Sequence, residues 1–280
     1  MKFQPIQTDN AIERVTFVCE FATPLEDRWL RGLYDMHGQF AEKLPKKAMN
    51  HGYSILVGTG PMQPQPVPGI ASVTFEEYGR RGELLQAFHA LPQAILYINQ
   101  QYTRWVEISG MARTLLKAAL QAVHGAQVQA FGLEYYDRFT APASIAPPDV
   151  NGLLRKTSQY LVPRVFEIPG PWHSHHGSLR DDDSSPCPHS KNDNINIDLV
   201  REQTPADLYA VNLLLRHRRI LAAPVSVGDA SDLFDKFMDE MHGADKIVMQ
   251  DLLTPEIAEA IGLGGSDATE RPESGVVTTN

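Results

Sequence analysis

The stretch Pro171 to Ser190, PWHSHHGSLRDDDSSPCPHS, gathers His173, His175, His176, three consecutive aspartates, Cys187 and His189. Imidazole, thiolate and carboxylate are the usual protein ligands of divalent metals. If Trp172 to Arg180 is a strand, alternation puts His173 and His175 on one face and Trp172, Ser174 and His176 on the other. Two imidazoles at that spacing can share an ion. Cys187 and His189, across a short polar turn, could complete a set of His173, His175, Cys187 and His189. Asp181, Asp182 and Asp183 would suit magnesium or manganese, but consecutive side chains diverge and cannot all reach one ion. The favoured alternative is a plain hairpin. Ser184, Ser185 and Pro186 are turn formers, Asp-rich tips are solvated, and the paired-cysteine spacing of a structural zinc site is missing. Cys187 lies between two prolines with no rigid base beside it, so a nucleophilic role is disfavoured.

Three further polar groups could do chemistry. Asp198 shares a face with Asn194 and Asn196, opposite Ile195, Ile197 and Leu199, which reads as the polar side of an amphipathic strand. Glu134 lies between Leu133 and Tyr135 on a strand with apolar residues on both faces. A carboxylate buried there needs a partner, for which Arg138 or Arg104 is available, and it is a candidate binding residue. Arg216-His217-Arg218-Arg219 is the densest basic run, and Arg216, Arg218 and Arg219 could hold a phosphate. The simpler reading is the end of an exposed strand.

The elements that must position these groups follow from periodicity. Val15, Phe17, Cys19 and Phe21 alternate as a half-buried strand, which makes Cys19 a core thiol. Glu26 to Leu44 has helical spacing closed by Pro45. Ile70 to Tyr78, Glu83 to Ala90 and Ala94 to Asn99 read as an antiparallel meander after a proline-rich loop from Gly58 to Gly69. Trp105 to His124 is the strongest helix, and Val128 to Phe139 a central strand. Ala141 to Asp149 is proline-rich and divides the chain. Beyond it, Val150 to Tyr160 suggests helix. Val162 to Ile168, Trp172 to Arg180, Asn194 to Arg201 and Leu208 to Leu221 suggest strands. An amphipathic helix capped by Asp229 follows, then helices over Lys246 to Leu253 and from Pro255 to Gly262. The expected fold is α+β, with two mixed halves, each an antiparallel sheet carrying a long amphipathic helix. The halves are 1–140 and 150–263, joined by 141–149, with a disordered tail at 264–280.

Composition narrows the function classes. With 42% hydrophobic and 21% charged residues the chain is an ordinary globular one. Its formal net charge of -9 argues against a nucleic-acid platform. Two cysteines are too few for a disulfide framework. With no secretory signal and no apolar run able to span a bilayer, the expected location is the cytoplasm.

Tyr102-Thr103-Arg104-Trp105, Gly132-Leu133-Glu134-Tyr135-Tyr136-Asp137, Asn194-Ile195-Asn196-Ile197-Asp198, Phe234, Met241-His242, Leu252-Leu253-Thr254 and Ile261-Gly262-Leu263 occur in an order that resembles a sporadically distributed bacterial protein family of uncharacterised function. The resemblance runs from the first strand to Leu263. It implies a two-part α+β fold and a bacterial or phage origin, and it brings no catalytic residues. At Glu134 and Asp137 the chain departs from that family, which usually has a basic residue and an asparagine there, and this argues against a shared polar site at that strand.

No triad, P-loop, dinucleotide fingerprint or zincin motif is present. The expectation is a non-catalytic binding protein without a cofactor, recognising a protein partner or a small ligand, in a bacterial or phage defence or toxin–antitoxin-like system. The alternative is a metal-dependent hydrolase or nuclease built on His173, His175, Asp181 and Asp198 with a divalent metal.

Overall fold

Alternating burial fixes most of the backbone in this protein. The computed structural model describes residues 2–56, 65–143, 149–183, 185–203 and 207–263. In chain order they form β1 (Gln4–Pro5), β2 (Ile12–Phe21), α1 (Asp27–Asp35), β3 (Lys46–Leu56), β4 (Gln65–Tyr78), β5 (Leu84–Ala90), β6 (Ala94–Asn99), α2 (Trp105–Ala122), β7 (Gln127–Pro142), β8 (Trp172–Asp182), β9 (His189–Glu202), β10 (Leu208–Ser226), α3 (Val227–Leu252) and α4 (Pro255–Ala260).

The strands make one sheet in the order β3-β4-β5-β6-β2-β7-β10-β9-β8, with β1 added beside β7. Every pairing is antiparallel. This corrects the expectation of two separate sheets. The two halves meet where β10 pairs with β7, from Leu208 opposite Pro142 to Ser226 opposite Gln127, so the sheet is continuous across the expected boundary. The reason lies in β7, whose long run of alternating buried residues from Phe131 to Ala141 lies under the helices and takes a neighbour on each edge, β2 and β10. The junction residues 144–148 and the tail 264–280 lie outside the described residues, as do 57–64 of the expected proline-rich loop.

The long helices cover one face of the sheet. Val15, Phe17 and Cys19 on β2, Phe131 and Leu133 on β7, and Phe234, Phe237, Met238 and Met241 on α3 belong to one apolar cluster. Val211, Leu213 and Leu215 on β10, Ile195 and Ile197 on β9, and Val248, Met249 and Leu252 on α3 form a second. Burial pushes the Cys19 thiol pKa up, as suits a core residue. The opposite face is polar and carries ion pairs in register.

Several boundaries differ from those read in the sequence. The first helix stops at Asp35 and tightens into a 3-10 turn at Met36–Gln39. Buried His37 turns inward there, its Nε2 2.8 Å from the Leu44 carbonyl, and Gly38 adds no helix propensity. Pro163–Phe166 is a 3-10 turn, not a strand, because Pro163 opens it with a preset φ. Val150–Gly152 is likewise a single 3-10 turn. The helix after β10 runs unbroken through Gly243 to Leu252, capped by Ser226, whose hydroxyl accepts from the Asp229 amide at 3.2 Å. Among the described residues no helix is long and apolar enough to cross a membrane.

Phe131 has its ring between those of Phe234 and Phe237, at centroid distances of 6.1 and 5.5 Å. Phe131→Ala should cost about 3–5 kcal/mol in urea unfolding. Glu134→Ala, one pleat away on the polar face, should change stability by less than about 1 kcal/mol.

Candidate functional site

His173 and His175 both lie on the polar face of β8, opposite Asp198 and Asn196 on β9. His173 Nδ1 is 2.9 Å from Asp198 Oδ1, and His175 Nε2 is 3.3 Å from Asn194 Oδ1. His189 points through the other side of the sheet. It is buried, its ring edge-on to Phe237 at 4.8 Å and its Nδ1 2.9 Å from the Cys187 carbonyl. Cys187 packs against the same apolar cluster. The sheet therefore separates His173 and His175 from Cys187 and His189, and the four-ligand set is not assembled. The hydrolase set fares no better. Asp181 is eight residues along β8 from His173, which at strand spacing is roughly 26 Å. Among the described residues no group of three or more His, Cys, Asp or Glu side chains could hold a metal ion.

Glu134 and the basic run are also resolved by alternation. Glu134 is half-buried on the polar face and pairs with exposed Arg216 at 3.3 Å, not with Arg138 or Arg104. Arg218, on the same face, makes a bidentate pair with Glu20. Arg219 is on the covered face and only 1% exposed. The run is not the end of an exposed strand, since β10 is flanked by β7 and β9. Its four side chains divide between two faces and do not form a phosphate cradle.

The covered face holds what sequence reasoning missed, a polar seam lying where the two apolar clusters meet beneath α3. His217 and Arg219 follow Leu213 and Leu215 in the inward parity of β10. His217 Nδ1 donates to Asp193 Oδ1 at 2.9 Å, and Arg219 Nη1 donates to the same oxygen at 3.1 Å. His217 Nε2 lies 3.4 Å from Asp245 Oδ1 of α3. Arg219 Nε continues to Glu240 at 3.0 Å, and Lys191 joins Glu240 to Asp182. Burial disfavours charge on His217, but the carboxylates of Asp193 and Asp245 overcome it and lift its pKa to about 9. Burial likewise opposes ionisation of Asp193, yet His217 and Arg219 draw its carboxyl down to about 2.

At its α3 end the seam opens into a cavity of about 530 Å³, between the start of α2, β7, α3 and the chain after α4. Asp137 and Asp245 are at its floor, both under a tenth exposed. Asp137 is opposite Ile12 on β2 and Leu213 on β10. Its Oδ2 has no hydrogen-bond partner among the described residues. Burial, then the neighbouring Asp245 charge, raises its pKa well above the ordinary carboxylate range. The Tyr135 hydroxyl is hydrogen-bonded to His242 Nδ1 at 2.8 Å. The His242 ring stacks on Trp105 at 4.0 Å and 12°, and Phe17 stacks against Trp105 at 5.6 Å and 22°. Burial and then Lys246 push His242 down to about 4, so its imidazole is neutral near pH 7. A second hollow of about 550 Å³ lies at the other end of the seam, beside Lys191, Arg219 and Glu240. Those side chains satisfy one another, whereas Asp137 is left open to its cavity.

Comparison with protein-family models, with curated proteins and with solved structures finds no match to this chain. The site must therefore be read from its own chemistry. Tyr102 to Trp105, Tyr135, Asp137, His242 and Ile261 to Leu263, drawn from four stretches singled out in the sequence, line this one cavity. A signal for the floor was present too. Asp137 shares strand parity with Phe131, Leu133 and Tyr135, and Asp245 continues the buried α3 stripe one turn beyond Met241. Polar residues in apolar parity are the mark of a buried site.

The raised His217 pKa stabilises the folded chain fully below its unfolded value of 6.5, and that contribution fades as pH rises through about 9. Raised Asp137 acts in the same direction, since folding favours its protonated form. Urea unfolding should therefore show stability falling between pH 6.5 and about 9, by about 3 kcal/mol for the His217 share. His217→Gln should be less stable at pH 6.5 and lose most of the slope; an unchanged slope would contradict the assignment.

Proposed function

We propose that this chain is a non-catalytic binding protein that takes a small organic ligand into the cavity between β7, the start of α2 and the middle of α3. The observation that carries this reading is Asp137, a buried carboxylate lining a roomy cavity, one of whose oxygens has no hydrogen-bond partner among the described residues. An unsatisfied buried polar group costs about 1–3 kcal/mol, which a bound donor would relieve. Cavity size supports the reading, since small-molecule sites commonly enclose about 300–1,000 Å³. So does the wall chemistry. Ile12, Met249 and Ile261 give apolar surface, and a few convergent polar groups lie below them. A defence or toxin–antitoxin-like system, expected from the sequence resemblance, is the setting in which such a protein would act as a ligand sensor. The metal-dependent hydrolase is not proposed, because Asp181 lies too far along β8 from the His173–Asp198 pair to share an ion with it, and no three ligand side chains gather among the described residues.

A fragment library of mixed charge, screened by saturation-transfer NMR, should yield binders that compete with one another. Ile261→Trp, which fills the cavity mouth, should abolish their binding with little change in thermal midpoint. Bound fragments should be recovered chemically unchanged after prolonged incubation. Binders that ignore Ile261→Trp would place the site elsewhere, and turnover of a fragment would contradict the non-catalytic part.

A further inference from the structure

The chemistry of the floor specifies the class of ligand, an inference that rests on the cavity being a ligand site. Beneath α3 three buried carboxylates, Asp137, Asp193 and Asp245, face two buried cations, His217 and Arg219. Arg219 and His217 are both committed to Asp193, and His217 also reaches Asp245. Glu240, half-buried at the far end, is matched by Lys191. Arg180, largely exposed, is a further cation 3.5 Å from Asp193 Oδ2. Among the described residues Asp137 Oδ2 has no hydrogen-bond partner, cationic or otherwise, and an ionised carboxylate left without a counter-charge in such surroundings is expensive.

We propose that the cavity binds an organic cation, an ammonium or amidinium head with several N–H donors, seated against Asp137 and Asp245 and carried on an apolar or aromatic body. The head supplies the missing charge and satisfies Asp137 Oδ2 with a charge-assisted hydrogen bond, stronger than a neutral one. The body lies along Ile12, Met249 and Ile261. Trp105 is already stacked with Phe17 and His242. Without ligand, burial and the Asp245 charge favour the protonated form of Asp137, and a bound cation favours the carboxylate.

Two cationic side chains, Arg104 and Lys246, also line the cavity. Both are exposed, and although Lys246 is felt by His242 and Asp245, neither is hydrogen-bonded to Asp137 Oδ2 at the floor, where a buried contact is screened less than an exposed charge. That polarity orients the ligand head-down. It also disfavours a second positive charge at the outer end of the body.

The test is calorimetric titration of the full chain with a near-isosteric series of benzamidinium, benzamide and benzoate, with phenethylammonium as a second cation. Benzamidinium or phenethylammonium should bind, and benzamide and benzoate should bind at least about tenfold more weakly, a difference of about 1.4 kcal/mol. Asp137→Asn should lose the cation by a similar factor while keeping its thermal midpoint, because a neutral amide of the same shape replaces a carboxyl whose charge burial already disfavours; this separates lost binding from unfolding. Ile261→Trp should also lose it. The cation class fails if neither cation binds, if benzamide or benzoate binds as tightly, or if Asp137→Asn binds unchanged. If uncharged fragments nevertheless bind and are lost in Ile261→Trp, the cavity reading survives that failure; if the cations bind equally well to Ile261→Trp, both fall.

Discussion

Burial of His217 between Asp193 and Asp245 is the constraint on which the arrangement of the covered face depends. A protonated imidazole 1% exposed cannot stand without counter-charge, and the two carboxylates come from different elements, β9 and α3. Sliding α3 by one turn, about 5.4 Å, would carry Asp245 off His217 and leave buried charges unpaired. Such a loss costs about 3–5 kcal/mol, which, with the ion pairs of Asp235 and Asp239 to Arg113 and Lys117 of α2, holds the amphipathic helix to one position. Holding α3 there places His242 on Trp105 and Asp245 beside Asp137, which sets the floor of the cavity.

The two faces of the sheet use charge in opposite ways. On the open face Glu20 pairs with Arg218, Glu134 with Arg216, and Arg138 with Glu202 at 2.5 Å. These pairs are partly solvated, are worth up to about 1 kcal/mol each, and keep the uncovered face compatible with water. On the covered face fewer charges are present, each with few neighbours to choose from, and pKa values move by large amounts in both directions. His217 goes up to about 9, Asp193 down to about 2 and His242 down to about 4. Low dielectric turns ordinary side chains into specific ones.

The fold was partly legible because period-2 alternation is a local signal. Each of β2 and β9 has the inward and outward residues that alternation assigns, β7 does so from Phe131 onward, and Trp105–Ala122 is the helix its apolar stripe requires. Ligand-type residues in the Pro171 to Ser190 stretch drew attention by their density. Density in sequence is a poor guide when neighbouring residues of a strand face opposite ways, and the sheet put His173 and His189 on opposite sides. The cavity floor drew less notice because Asp137 and Asp245 are single polar positions in otherwise apolar patterns on β7 and α3.

Sequence alone determined which residues face inward on each strand and helix, since that depends only on the backbone repeat and on the aversion of apolar groups to water. Only the tertiary structure decided that β7 and β10 pair into a single sheet, because strand partnership is settled by contacts between segments far apart in the chain. It alone brought Asp137, Asp193, His217 and Asp245 together under α3. Charge balance is a property of a neighbourhood, and no stretch of this chain contains that neighbourhood.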